Sequence, residues 1–153
     1  MPTENQKSPR WISQGQATTS SKPLKVWKRP KLKNGKLSKW LWVVRGLEDF
    51  KMGERVDIGA FTYIQAEKGV EIGDDVQIGS PCSIYSVSTI DDKGGQVILK
   101  KNCKIGTHST IMPNITIGEN SIIGAYSFVT KNIPDNVIAF GIPCKIWKSL
   151  YSK

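Results

Sequence analysis

The stretch IGENSIIGAYSFVTKNIP, residues 117–134, places an aliphatic side chain at every sixth position: Ile117, Ile123 and Val129, the first two followed by glycine. Working outward, the same position is filled by Met52, Ile58 and Ile64, then Ile72, Ile78 and Ile84, then Leu99, Ile105 and Ile111. A second position, four residues after each, holds mostly small or β-branched residues: Val56, Thr62, Val76, Cys82, Ser88, Cys103, Ser109, Ile115, Ser121, Ser127 and Ile133. A period of six fits neither the 3.6 of a helix nor the 2 of a flat strand. It fits a short strand and a tight corner, repeated so that each coil stacks on the one below. The expected fold class is therefore all-β, a parallel β-helix in which twelve hexads at three per coil make about four coils.

The residue types explain the period. The aliphatic side chain points into a narrow prism and stacks on its equivalents. The position four residues on also points inward, where little room remains, so Ser, Thr, Cys and Val serve. Glycine beside the ladder residue lets the backbone turn where a side chain would clash. Two breaks interrupt the count. After Ile64 the inward position would fall on Lys68, and an unpaired lysine is too costly to bury. Glu67-Lys68-Gly69 is thus expected to bulge outward. After Ile84 the run SVSTIDDKGGQVI adds residues before Leu99, and Asp91-Asp92-Lys93-Gly94-Gly95 is turn chemistry that marks a protruding loop.

Around the repeats, residues 1–23 are rich in Ser, Thr, Gln and Pro and are read as a flexible tail with Trp11 and Ile12 as its only anchors. Residues 24–51 form a basic, Trp-rich segment expected to cover the bottom of the prism, since a bare β-helix end invites stacking by other chains. Residues 52–134 are the β-helix, and 135–153 its C-terminal cap. The formal charge of +9 is concentrated: residues 51–153 carry +1 and residues 24–50 carry +6. The repeats are thus not a nucleic-acid surface. The basic segment reads as a solvated arm, or as a patch for phosphates or a membrane surface through residues 24–45. No stretch is apolar for long enough to span a membrane, and no signal peptide is expected, since the start shows no charged-then-apolar pattern. Three cysteines without metal spacing, two of them at inward positions, read as reduced core residues of a cytoplasmic protein.

The segment IMPNITIGENSIIGAYSFVTKNIPDNVIAFGIPCKIWK resembles the closing region of the hexapeptide-repeat acyltransferases, in particular bacterial sugar acetyltransferases. The phrases that carry the likeness are Val129-Thr130-Lys131-Asn132-Ile133-Pro134 and Gly141-Ile142-Pro143-Cys144-Lys145. The resemblance implies a left-handed coil, a homotrimer, and acetyl-CoA as co-substrate, its pantetheine arm lying along the prism between two subunits. It places Gly106, Gly124, Ala125, Thr130, Lys131, Pro143 and Lys145 near coenzyme A, with Lys131, Lys145 and Lys148 facing its phosphates. It also implies a sugar or nucleotide-sugar acceptor in bacterial surface-polysaccharide synthesis, taking the acyl group on oxygen or nitrogen.

Acyl transfer from a thioester needs donors for the oxyanion and usually a base. The one histidine, His108, lies between two inward positions and so points outward, and imidazole is the natural base near neutral pH. Here the chain departs from the family it resembles, whose galactoside and maltose-type members place their histidine before the long loop, where this chain reads Ser86-Val87-Ser88-Thr89. A second frequent position is filled by Pro81. Asp91 and Asp92 are candidates to orient the acceptor, or plain turn residues. No metal is expected: the zinc carbonic anhydrases of this fold need three histidines per site, and one per chain cannot supply them. The alternative is a non-catalytic trimeric scaffold whose basic segment binds an anionic partner.

Overall fold

The computed structural model describes residues 26–151. The reading of residues 1–23 as a tail therefore lies outside the described residues. The chain winds through five turns of a three-faced solenoid, and every ladder strand pairs in parallel with the coil below. The first coil is β1 (Val43–Arg45), β2 (Phe50–Met52) and β3 (Asp57–Ile58); the second is β4 (Tyr63–Gln65), β5 (Val70–Ile72) and β6 (Gln77–Ile78). In the third, β7 (Ser83–Tyr85) leads into a hairpin, β8 (Val87–Ser88) and β9 (Lys93–Gly94), before β10 (Val97–Leu99) and β11 (Lys104–Ile105). The fourth is β12 (Thr110–Ile111), β13 (Thr116–Ile117) and β14 (Ile122–Ile123). The fifth is β15 (Phe128–Val129), a bridge at Ile133, and β16 (Val137–Phe140), on which β17 (Lys145–Ser149) folds back antiparallel.

Stacking gives three aliphatic ladders. Face one carries Val44, Ile64, Ile84, Ile111 and Val129; face two, Met52, Ile72, Leu99, Ile117 and Ile133; face three, Ile58, Ile78, Ile105, Ile123 and Ala139. The count of five coils corrects the expected four. Val44 supplies a rung eight residues before Met52, off the six-residue beat. Ile133, read as a second-position residue, pairs with Ile117 as a ladder residue, and Ala139 closes the last rung. At the base, Trp42 is buried, Leu32 packs against the core, and Trp27 Nε1 donates to the Val56 carbonyl at 3.2 Å.

The inward small residues do more than save space. Ser121 Oγ donates to the Pro134 carbonyl at 2.6 Å and accepts from the Val137 N–H at 3.1 Å. Ser109 Oγ likewise donates to the Gly124 carbonyl and accepts from the Ser127 N–H. Each hydroxyl thus pairs with buried peptide groups of the coil above. Ser88 is a correction: it sits half-buried in the hairpin, and Ser86 takes the interior place, donating to Gln65 Oε1 and accepting from the Lys68 N–H. The Glu67-Lys68-Gly69 bulge is outward as expected, with Gly69 at φ 95°.

The ladder glycines owe their place to close approach. None of those after a ladder isoleucine has positive φ, yet a Cβ on Gly106 would lie 2.4 Å from the Ala125 nitrogen, and one on Gly118 2.3 Å from the Asp135 nitrogen. Left-handed backbone falls three residues after the ladder residue instead, at Arg55, Phe61, Asp75, Asn102, His108, Asn114, Asn120, Tyr126 and Asn136. Asn, Asp and His adopt that conformation most readily among residues with a Cβ.

Cys82, Cys103 and Cys144 are free and buried. Burial pushes the Cys103 thiol up to about 12, whereas an unfolded thiol titrates near 8.5. Below the unfolded value its contribution to stability is whole. As pH rises toward the folded value, the unfolded chain gives up a proton that the folded chain retains, and stability falls. Urea unfolding of wild type and Cys103→Ala should show stability lost by wild type between about pH 8 and about pH 10.5, and a smaller loss in the variant.

Candidate active site

Three edges run the length of the prism, and they differ. The edge between faces two and three carries paired side chains along a shallow cavity bordered by Arg55, Asp75, Lys101 and Asn120. Arg55 Nε and Nη2 donate to the Asp75 carboxylate at 2.6 and 3.1 Å, and Asn102, Asn120 and Asn136 form a ladder, Nδ2 to Oδ1, at 2.9 and 2.8 Å. The hydrogen bond from Arg55 and its charge hold the Asp75 carboxyl below the usual range. The corner N–H groups of Glu54 and Glu119 are taken by the Asp74 and Asp135 side chains.

The edge between faces three and one is open. There the left-handed corners stack Leu41, Phe61, His108 and Tyr126, all exposed, with Pro81 in the coil beneath His108. The His108 ring lies flat on Tyr126, 4.7 Å between centroids and 1° between planes. Its backbone N–H donates to the Pro81 carbonyl at 2.6 Å. Thr107 Oγ1 lies 3.0 Å from His108 Nδ1 and also contacts the Ser80 carbonyl. Among the described residues, the Thr107 and Ala125 N–H groups have no acceptor. Successive coils thus offer free backbone donors on the same edge as the imidazole.

Of the residues expected near coenzyme A, Gly106, Gly124, Ala125 and Pro143 fall on or beside this edge. Gly106 and Gly124 are fixed by stacking, since a Cβ on Gly124 would meet Phe140 Cβ at 2.8 Å. Lys145 opens β17 and, with Pro143, Ile146 and Trp147, lines a shallow cleft at the top; Lys148 Nζ sits 4.5 Å from the Trp147 ring. Thr130 and Lys131 lie exposed on the edge between faces one and two, two coils above the β8–β9 hairpin that carries Asp91 and Asp92. Asp91 is ion-paired to Lys93 at 2.6 Å, and the hydrogen bonds from Lys93, then Ser88, hold its carboxyl below the usual range. The structure therefore joins His108 to the glycines and leaves Asp91, Asp92, Thr130 and Lys131 on another edge of the same chain. Sequence reasoning missed Thr107 and Tyr126. One coil is 18 residues there, and adding that to 108 points to 126.

The coil, the corner glycines and the open edge define a hexapeptide-repeat β-solenoid. Residues 96–131 match the family described as bacterial transferase hexapeptide (six repeats), and residues 51–86 match the hexapeptide repeat of succinyl-transferase. The chain belongs to the hexapeptide-repeat family. It is 35% identical over 116 residues to the galactoside O-acetyltransferase of Escherichia coli (strain K12), a match covering 66% of this chain and 57% of that one. The chain thus spans little more than half the length of that relative. Among solved structures it is similar to a maltose O-acetyltransferase from Clostridium difficile 630, with TM-score 0.66, 30% identity, and 72% of this chain and 64% of that chain covered. It is also similar to AntD, an N-acyltransferase from Bacillus cereus in complex with dTDP and 3-hydroxybutyryl-CoA, with TM-score 0.56, 27% identity, and 74% and 78% covered.

Proposed function

We propose that this chain is an acetyl-CoA-dependent acetyltransferase that modifies a sugar, free or nucleotide-linked, in bacterial surface-polysaccharide synthesis. The observation that carries the reading is the exposed imidazole of His108 on the edge where the Thr107 and Ala125 N–H groups are free. Acetyl-CoA supplies the activated acyl carbonyl. The free corner amides are the donors this chain offers to an extended amide-bearing arm and to a developing oxyanion. Imidazole takes the proton of the attacking hydroxyl or amine and returns it to the departing thiolate. The names of the galactoside and maltose enzymes support acyl transfer to a sugar, and that of AntD supports acyl transfer to nitrogen.

The working form in this proposal is a homotrimer in the cytoplasm. Its support is geometric: Asp91, Asp92, Thr130 and Lys131 lie on a different edge from His108, so a site using both sets draws on two chains. No helix among the described residues is long and apolar enough to cross a membrane. Contact with a membrane surface, if made, falls to residues 24–45, where among the described residues no cation pairs with a carboxylate.

Two measurements test this. Millimolar acetyl-CoA should raise the melting temperature, because a ligand that binds only the folded state stabilises it. CoA release should be detected with at least one member of a panel of sugars and sugar nucleotides, and sedimentation should give three chains. No thermal shift and no CoA release would favour the scaffold alternative.

A further inference from the structure

We propose that Thr107 is a positioning residue that fixes the tautomer of His108, keeping its proton on Nδ1 and leaving Nε2 as a bare lone-pair acceptor. A threonine hydroxyl has one proton to donate and two lone pairs. Thr107 Oγ1 touches two groups, the Ser80 carbonyl and His108 Nδ1. The carbonyl can only accept, so the hydroxyl proton goes to it. The 3.0 Å contact with Nδ1 must then be made by a proton on the ring nitrogen. Neutral imidazole has a single N–H, so Nε2 is left without one. The opposite assignment would set the Thr107 lone pairs against the Ser80 oxygen with no proton between them.

The rest of the corner keeps the ring from escaping this choice. The His108 backbone is left-handed at φ 58°, and its N–H is held by the Pro81 carbonyl. Tyr126 covers one face of the ring and holds its plane through a stack at 4.7 Å; a half-turn about the Cβ–Cγ bond keeps that plane but puts a ring carbon where Nδ1 meets Thr107, and the Thr107 bond is lost. Protonation of Nε2 needs no rearrangement: Nδ1–H remains the donor to Thr107, and the bond strengthens when the ring carries charge. A base that must accept and return a proton in each turnover is served by such an arrangement.

The assignment of the tautomer stands on contacts alone; its kinetic consequence rests on His108 being the base proposed above. Because His108 is the only histidine, the imidazole gives one set of signals. Long-range ¹H–¹⁵N correlation on histidine-labelled protein, above the pH at which the ring titrates, should show the Nδ1–H form in wild type and in Thr107→Ser. In Thr107→Val the Nε2–H form should become the major one. Finding Nε2–H in wild type, or no change in Thr107→Val, would overturn the proposal. In turnover, Thr107→Val should lower kcat roughly three- to tenfold, as loss of one neutral hydrogen bond supports. KM for acetyl-CoA should hold, and Thr107→Ser should restore the rate. If the tautomer is as stated but His108→Asn turns over normally, the assignment of His108 as base fails while that of Thr107 to the tautomer holds.

Discussion

His108→Asn is expected to lower kcat by about 10² to 10⁴, the range for loss of a general base. Asparagine is a fair probe here because, with His, it is among the residues that tolerate the left-handed corner, as Asn102, Asn120 and Asn136 do in this chain. The substitution therefore leaves the coil unstrained while removing the group that accepts a proton near neutral pH. The His108 side chain is exposed and lies outside all three ladders, so acetyl-CoA affinity and assembly should hold. The measurement is steady-state kinetics on the best acceptor of the panel, with sedimentation on the same sample. A loss of under about tenfold, below the range for a base, would remove His108 from that role. It would also favour an amine acceptor, whose lone pair attacks with little assistance.

Ile117→Ala should destabilise the fold by about 2–5 kcal/mol, the cost of a buried isoleucine truncated in a site that cannot collapse. Ile117 is fully buried on face two, with Leu99 below it and Ile133 above it. Collapse is blocked because Gly118, the next residue, is already in close approach to the Pro134 and Asp135 backbone. Thr116→Ala on the outer surface of the same strand is the control and should cost well under about 1 kcal/mol. Chemical denaturation of the pair, monitored by far-ultraviolet circular dichroism, checks it. Equal midpoints would mean that the ladder is not what holds the coils together. Since each coil touches only its neighbours, the loss should fall first on the upper coils, where the ladders already thin to Val129, Ile133 and Ala139.

The amino-acid sequence by itself determined the coil. An aliphatic side chain every six residues, with a small residue four further on, has one economical solution, a stack of short strands and corners. The period also marked its own interruptions at Lys68 and at Asp91–Gln96, because a buried lysine and a run of turn residues cannot occupy a ladder. It turned His108 outward because that residue lies between two inward positions. What it did not carry were the ends and the edges. Val44 and Ala139 lie off the six-residue beat, and they become rungs only because Ile64 and Ile123 offer unpaired strand edges to them. The choice of edge was likewise tertiary: Asp91 and His108 are near in sequence, yet a corner is a third of a turn, and the strands between them carry His108 to a different side of the prism. Thr107 and Tyr126 entered the site for a further reason. One fixes the ring through a carbonyl 27 residues earlier in the chain and the other stacks on it from the next coil, contacts that exist only once the solenoid has closed.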